Sequence, residues 1–188
     1  MNVFFSVSSR KNIDSEYFND AKKISDILAK AGYDLVIGAA MKDGMSGEVL
    51  RSFKNHNRKI YLKTMESYHE DPKEFYYVDF EYVEDTFMRT KHIYDESDIL
   101  FFMPGGTGTT AEIFAFLEQL RTDKCSKRIV IYNKDNYYQD ILKAIHKYVS
   151  LNFNDDSIFE YLNIYNDEEE LINFITKYQN DYINNKII

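Results

Sequence analysis

The sequence has no tryptophan, two prolines, seven glycines and one cysteine among its 188 residues. The lone Cys125 cannot form a disulfide within the chain, and such sparing use of cysteine is typical of a reducing compartment, so we expect a cytoplasmic protein. It lies in a lysine-rich turn with no base nearby, and we interpret it as incidental. Neither a signal-peptide pattern nor an apolar run near the roughly 20 residues that cross a bilayer is found, so we expect no membrane partner.

Positive charge is also scarce. Lys and Arg number 23 against 31 Asp and Glu, which gives a formal net charge of -8 at pH 7. Proteins that bind nucleic acid usually present a basic face, so we predict no nucleic-acid partner. A small phosphorylated ligand needs only a local positive site and stays open. The histidines, at positions 56, 69, 92 and 146, show no metal-ligand spacing, and we predict no metal site.

One stretch, residues 98–120, organises the rest of the chain. Residues 99–103 are an uninterrupted apolar run, short enough for a strand that is buried on both faces of a parallel sheet. Pro104 ends that strand because proline cannot donate to a ladder. From Ile113 the apolar spacing becomes that of a helix.

Three of the seven glycines lie at this junction, at positions 105, 106 and 108. Strand, glycine turn and helix in that order often hold phosphate, because glycines let the backbone approach and free N–H groups face the anion. The candidate phosphate-binding residues are Gly105, Gly106, Thr107, Gly108 and Thr109. No Lys-Ser/Thr pair follows, so this is not a P-loop, and the spacing differs from a dinucleotide fingerprint. The structural alternative is a capping box between Thr109 and Glu112.

The remaining chain alternates predicted strands and helices. Strands are expected at residues 2–7, 33–37, 59–62, 75–83, 99–103, 128–132 and 162–165. Helices are expected from residue 15 to Gly32, through 49–53, over 85–96, from 113, over 138–149 and after residue 167, with a polar loop at 63–74 that contains Pro72. This order predicts one Rossmann-like, doubly wound α/β domain over residues 1–188, with a mostly parallel sheet, helices on both faces and a frayed tail at 181–188.

Sheets of this kind bind ligands at the carboxyl ends of the strands, where the strand order reverses. The candidate walls are therefore the loops after the first, second and fifth strands, at Ser8 and Ser9, 38–47 and 105–109. The two serines would donate hydroxyl groups to a ligand or, alternatively, cap the first helix. Arg89, on a helix that enters the same region, would pair with a phosphate or hold Glu112 in place. The alternative for Arg89 is an ordinary exposed side chain.

Residues 104–112, Pro-Gly-Gly-Thr-Gly-Thr-Thr-Ala-Glu, are similar to the PGGxGTxxE signature of the "Lonely Guy" phosphoribohydrolases. These cytokinin-activating enzymes were long mislabelled as lysine decarboxylases. Met88-Arg89 ahead of Ser97-Asp98 resembles the family's Met/Arg-Lys helix. Residues 132–138 resemble its Asn-x-x-Gly-Tyr-Tyr segment, and residues 166–170 resemble the start of its closing helix. The resemblance thus extends over nearly the whole chain.

The resemblance implies a Rossmann-like homodimer with its sites near the interface. It also implies hydrolysis of a purine nucleoside 5'-monophosphate, with an N6-substituted adenosine among the candidates, to free base and ribose 5-phosphate without a cofactor. The catalytic glutamate and arginine of the family fall on Glu112 and Arg89, and its phosphate loop falls on residues 105–109. A decarboxylase would need a pyridoxal lysine, and nothing marks one. The candidate substrate-binding residues are Ser8, Ser9, Gly38, Met88 and Lys91.

The chain departs from the family at three places. The family's first loop, Cys-Gly-Ser-Ser, is replaced by residues 6–9, Ser-Val-Ser-Ser, and its Gly-Gly-Gly after the second strand by residues 38–40, Gly-Ala-Ala. Thr90 splits its adjacent Arg-Lys pair, which moves Lys91 by one residue. These departures leave two alternatives open: a nucleotide-sensing or carrier module that binds without turnover, and base exchange as in nucleoside deoxyribosyltransferases.

Overall fold

The computed structural model describes residues 1–69, 75, 77–123 and 127–186. In these residues the strands are β1 (Asn2–Ser6), β2 (Asp34–Ile37), β3 (Ile60–Thr64), β4 (Asp79–Tyr82), β5 (Ile99–Phe102), β6 (Arg128–Tyr132) and β7 (Leu162–Tyr165). The α-helices are α1 (Ser15–Ala31), α2 (Met45–Asn55), α3 (Thr86–Glu96), α4 (Thr107–Asp123), α5 (Gln139–Ser150) and α6 (Glu168–Lys186). Short 3₁₀ turns lie at Glu66–Tyr68, Lys134–Asn136 and Asp156–Tyr161.

The strands form one seven-stranded sheet in the order β4-β3-β2-β1-β5-β6-β7. Every neighbouring pair is parallel. The chain builds outward from β1 to β4 and then crosses to the other side of β1 to begin β5. The strand order therefore reverses between β1 and β5, where Ser6 pairs with Phe102. This confirms the predicted doubly wound α/β fold and places its crevice above these two strand ends.

Both faces of the sheet are covered. Alternate residues of β5 belong to different hydrophobic cores, Ile99 and Phe101 to one and Leu100 and Phe102 to the other. Helices α1, α2 and α6 pack on the first face, and α3, α4 and α5 on the second. Burial on both faces explains why the strands read as continuous apolar runs and not as alternating patterns.

The helix ends follow the local chemistry of the sequence. The side chain of Asp14 accepts a hydrogen bond from the N–H of Glu16 at the start of α1, and Gly32 ends that helix with a φ of 101°. Asp167 accepts from the N–H of Glu170 at 3.0 Å, which confirms the predicted start of α6. Ser8 and Ser9 do not cap α1, so that alternative was wrong.

Several predicted boundaries were wrong. β3 continues to Thr64, because Lys63 is buried and paired with Asp79 and Glu81 on β4 and so does not belong to a solvated loop. β1 ends at Ser6 and not at residue 7. β4 covers only residues 79–82 of the predicted 75–83. Pro72 and Cys125 lie outside the described residues.

Three helices are longer than predicted, and one of them, α2, begins at Met45 inside the loop expected at 38–47. α4 begins at Thr107 and not at residue 113, with the N–H of Thr110 bonded to the carbonyl of Gly106 at 3.0 Å. Glycine and threonine are weak helix formers, so the pattern hid this first turn. α6 continues to Lys186, beyond residue 181, where the frayed tail was expected to begin. Gln179, 5% exposed, packs close to Gly32 and holds the later part of α6 on the domain.

Candidate functional site

A cavity of about 480 Å³ opens above the carboxyl ends of β1, β2, β3 and β5. Its size falls within the range of about 300–1,000 Å³ that is usual for small-molecule sites. Its walls are the loop after β1 with Ser8 and Ser9, the loop after β2 with Gly38, the turn after β3 with Tyr68, and residues 106–109. The structure thus brings together the three loops selected from the sequence and adds a fourth.

Glu112 lies in the wall of this cavity, in the second turn of α4, and is 8% exposed. Its Oε2 accepts a hydrogen bond from the Ser6 hydroxyl at 2.7 Å. Its Oε1 accepts one from Nη2 of Arg89 at 3.0 Å. Both oxygens therefore bind groups on β1 and α3 and not the start of their own helix, so the capping-box alternative was wrong.

Arg89 reaches the same place from α3, with its side chain 11% exposed. The alternative of an ordinary exposed arginine was therefore wrong. The face of the Tyr68 ring lies 5.2 Å from Cζ of Arg89. Nε of Arg89 is buried and has no hydrogen-bond partner among the described residues. An unpaired buried donor in a cavity wall is a natural partner for an oxygen of a ligand.

Gly38 gives α3 the room to approach. A Cβ atom at this position would lie 3.1 Å from Cδ1 of Ile93 and 3.8 Å from Cδ of Arg89. Asp85 fixes the start of the helix, since its side chain accepts from the N–H groups of Phe87 and Met88. A glycine at the end of β2 and a cap on α3 therefore place Arg89 over the strand ends.

The ionisation of Glu112 depends on opposing effects. Burial raises the pKa of its carboxyl group above the ordinary glutamate value, while the charge of Arg89 and the hydrogen bonds from Ser6 and Arg89 lower it. Burial has the larger effect. A carboxyl group with a raised pKa in a cavity wall is suited to exchange a proton with a ligand or with water.

The glycine turn has two distinct parts. Gly105 does not line the cavity; a Cβ there would lie 2.3 Å from Oγ1 of Thr109, so this glycine lets the turn close against α4. Gly106 and Gly108 do line the cavity, and a Cβ at either position meets open space. Because α4 begins at Thr107, its first N–H groups have no partner within the helix and carry the positive end of its dipole.

Two neighbouring tyrosines hold this turn from the other side. The hydroxyl of Tyr137 donates to the carbonyl of Gly105 at 2.9 Å, and that of Tyr138 donates to the carbonyl of Met103 at 2.7 Å. Tyr138 is 1% exposed, and burial raises the pKa of its hydroxyl. In the sequence, this pair stands out only as part of the segment that resembles the family. Its structural role is to fix the backbone on both sides of Pro104.

The structure does not bring every candidate to the cavity. Met88 is 43% exposed, and neither it nor Lys91 lines the cavity. The amino group of Lys91 pairs with Asp95, one turn further along the exposed face of α3, at 2.5 Å. Met88 and Lys91 lie three residues apart and share one face of α3, whereas Arg89 lies on a neighbouring face.

Two residues that contact the pair of Glu112 and Arg89 were missed. Ser6 is a polar residue at the end of an otherwise apolar strand, which is a signal that the sequence offered. Tyr68 lies in the loop predicted at 63–74, where no pattern distinguished it from other aromatic residues. Of the charged residues that line the cavity, Arg89 and Glu112 pair with each other, and Arg10 lies at the exposed mouth. The lining therefore carries a surplus positive charge in an acidic chain.

The described part of the chain holds no group of three or more His, Cys, Asp or Glu placed to bind a metal ion. None of the described helices is both long enough and apolar enough to cross a membrane.

The chain was compared with known proteins. A family model described as "Possible lysine decarboxylase" matches residues 44–175. No curated protein matches the chain.

Among solved structures, the protein TM1055 superposes with a TM-score of 0.68 at 18% identity, covering 94% of this chain and 98% of that one. The molybdenum cofactor carrier protein of Chlamydomonas reinhardtii gives a TM-score of 0.63 at 14% identity, covering 94% and 96%. The molybdenum cofactor binding protein of Rippkaea orientalis gives 0.63 at 14% identity, covering 94% and 94%. At these identities the similarity establishes the fold.

Proposed function

The chain belongs to the family described as possible lysine decarboxylases, which is the family of the Lonely Guy proteins, and on that premise we propose that it is a phosphoribohydrolase. It would hydrolyse the N-glycosidic bond of a purine nucleoside 5'-monophosphate to free base and ribose 5-phosphate. The observation that carries this proposal is Glu112, a buried carboxylate held between Ser6 and Arg89 in the wall of a cavity of nucleotide size.

The phosphate is assigned to the start of α4. Residues 106–109 line the cavity there, and the free N–H groups of the first turn and the helix dipole favour an anion. Ser8 and Ser9 line the neighbouring wall and offer hydroxyl groups. Binding the phosphate at one end would place the ribose over β1, beside Glu112, because β1 and β5 are adjacent.

Glu112 would act on the sugar. As the C1'–N bond breaks, its electron pair leaves with the base and positive charge develops on the ribosyl ring, which a nearby carboxylate stabilises. The same carboxylate would orient a water molecule and take its proton as the water oxygen bonds to C1'. The departing base takes a proton from solvent, and Glu112 afterwards releases the proton that it took from water, so that the net reaction consumes one water molecule. Arg89 holds the carboxylate in place and offers its free Nε to an oxygen of the ligand.

A decarboxylase reaction is not supported by the lining of the cavity. Pyridoxal phosphate is held by a lysine through a Schiff base, and no lysine is found among the described residues that line the cavity. We therefore take the family description as a statement of ancestry and propose hydrolysis as the chemistry.

The test is a panel of nucleoside 5'-monophosphates, including AMP and N6-substituted analogues, assayed for free base by chromatography. We expect release of a purine and an equal amount of ribose 5-phosphate. Nucleosides without the phosphate should react far more slowly. No release from any member of the panel would contradict the proposal.

A carrier without turnover is the second candidate. Val7 and Ala39 line the cavity at positions where the family has glycine, and their side chains change the space open to a ligand. Solved proteins with this fold include a molybdenum cofactor carrier. Tight binding of a nucleotide or of molybdenum cofactor by calorimetry, with no ribose 5-phosphate after long incubation, would favour this candidate. Exchange of bases without net hydrolysis would instead indicate a transferase.

We also propose a homodimer, which the family resemblance implies. Sedimentation equilibrium should then give twice the chain mass of 22.3 kDa. A mass equal to that of one chain at micromolar concentration would refute this.

A further inference from the structure

Tyr68 occupies a fixed position at the wall of the cavity. Its carbonyl accepts a hydrogen bond from the N–H of Ala40 at 2.9 Å, and its own N–H donates to the carbonyl of Met65 at 2.9 Å. These bonds tie the turn after β3 to the loop after β2. The ring is 36% exposed and lines the cavity. Its backbone is therefore anchored independently of any ligand.

The ring meets Arg89 in a defined geometry. Cζ of the guanidinium group lies over the ring at 5.2 Å from its centroid, within the range of about 6 Å for a cation–π interaction. Among the described residues, the guanidinium group makes a single hydrogen bond, from Nη2 to Glu112. A single hydrogen bond sets one distance but leaves the guanidinium plane free to turn. Contact with a ring face restricts that plane.

We propose that Tyr68 is a positioning residue for the hydrolysis proposed above: its ring holds the guanidinium group of Arg89 in the orientation that pairs with Glu112. The inference rests on the proposed function for its catalytic consequence, but the contact and its effect on Glu112 exist without substrate. The turn after β3, for which the sequence predicted no role, then contributes to the site.

The orientation of Arg89 affects the ionisation of the Glu112 carboxyl group. The groups that face it are Arg89 from α3, the hydroxyl of Ser6 from β1 and the hydroxyl of Tyr138 at the start of α5. Arg10 lines the same cavity at its mouth. Arg89 is the cation that pairs with the carboxylate, and it lowers the pKa of Glu112. If Arg89 turns away, this opposition to burial is lost and the pKa rises.

The backbone of α3 does not depend on Tyr68. Asp85 caps the helix, and Nδ1 of His92 is hydrogen-bonded to Oε2 of Glu81 on β4 at 2.9 Å. A change at Tyr68 should therefore act on the side chain of Arg89 and leave the helix in place. This separates a positioning role from a general role in stability.

The experiment compares Tyr68→Leu with Tyr68→Phe, which keeps the ring face. Tyr148→Leu, at a tyrosine that is 42% exposed on α5, controls for the loss of a surface aromatic residue. Carbon-13 NMR of the Glu112 carboxyl group, assigned with Glu112→Gln, follows its titration in the free protein. We expect Tyr68→Leu to move the midpoint upward by about 0.5 pH unit. Tyr68→Phe and Tyr148→Leu should leave it unchanged.

The kinetic measurement is a pH profile of AMP hydrolysis. Tyr68→Leu should lower kcat/KM by about 2- to 30-fold and shift its acid limb upward, and Tyr68→Phe should restore both. An unchanged Glu112 midpoint in Tyr68→Leu, or an equal shift in Tyr68→Phe, overturns the inference. If Tyr68→Leu does not fold, Tyr68→Met takes its place in the same comparison. If the wild type shows no hydrolysis, the proposed function fails, while the titration still decides the role of Tyr68.

Discussion

Nη2 of Arg89 lies 3.0 Å from Oε1 of Glu112, and the two side chains are 11% and 10% exposed. An ion pair removed from water to this extent loses much of its attraction to desolvation, so stability alone is a weak reason to keep it. Because the pair lies in a cavity wall, it is placed to act on a ligand. The pair is placed to contribute separately to chemistry, to ionisation and to folding.

Replacing Glu112 with glutamine should abolish release of adenine from AMP while binding is kept. The amide has nearly the same shape but cannot take a proton from water, and loss of a positioned base typically lowers the rate by about 10²–10⁴-fold. Turnover is measured by chromatography and binding by calorimetry. Wild-type turnover in this variant would exclude the role given to Glu112.

Replacing Arg89 with glutamine should shift the acid limb of the pH profile to higher pH. Arg89 lowers the pKa of Glu112, so its removal raises that pKa, and a base that must be deprotonated then needs a higher pH. The profile of kcat/KM between about pH 5 and 9 measures the shift. Arg89→Lys keeps the charge and should shift less. An unmoved limb would mean that another group titrates.

The turn glycines should respond in opposite ways to alanine. Gly105→Ala places a Cβ at 2.3 Å from Oγ1 of Thr109, so it should lower the free energy of unfolding by about 1–3 kcal/mol. Gly108→Ala meets open space within α4 and should keep or slightly raise stability, while its methyl group hinders the phosphate. Urea unfolding and calorimetry with ribose 5-phosphate measure the two effects. Equal losses of stability would contradict this division.

Glu112 should also affect stability in a pH-dependent way. Its folded pKa is raised above the ordinary value of 4.5, so its contribution is fully present below that value and is lost as the pH rises through the folded pKa. The free energy of unfolding of Glu112→Gln minus that of the wild type should therefore be larger at about pH 8 than at about pH 5. Urea unfolding at both pH values tests this. A difference of the opposite sign would mean that Arg89 and Ser6 outweigh burial.

Much of the fold could be predicted because the sheet is buried on both faces. The runs at 99–103 and 128–132 are apolar for that reason, and both form strands. The strand order could be narrowed to a doubly wound sheet because parallel strands need crossovers of one hand. Boundaries failed where tertiary contacts decide, as at Lys63, whose burial depends on two acidic partners on the next strand.

The site was predicted only in part, because some of its residues are also placed by tertiary contacts. Glu112 and residues 106–109 stand in a recognisable local pattern, and Arg89 was selected from its predicted helix and then by the family resemblance. Ser6 and Tyr68 act through contacts with residues far away in the chain, which periodicity does not encode. Lys91 was selected by its place in the sequence, but one position along a helix turns a side chain by about 100° and takes it to another face.

The hydroxyl groups of Tyr137 and Tyr138 bind the carbonyl groups on either side of Pro104, and this affects the free energy of ligand binding. With carbonyl groups on both sides of the proline tethered to the start of α5, the backbone there is already rigid before any anion arrives. Little association energy would then be lost to ordering the loop, so preorganisation and not induced fit would govern affinity. Empty and occupied forms should superimpose at this turn, and removing one of the two tethers with Tyr137→Phe should weaken anion binding mainly through entropy.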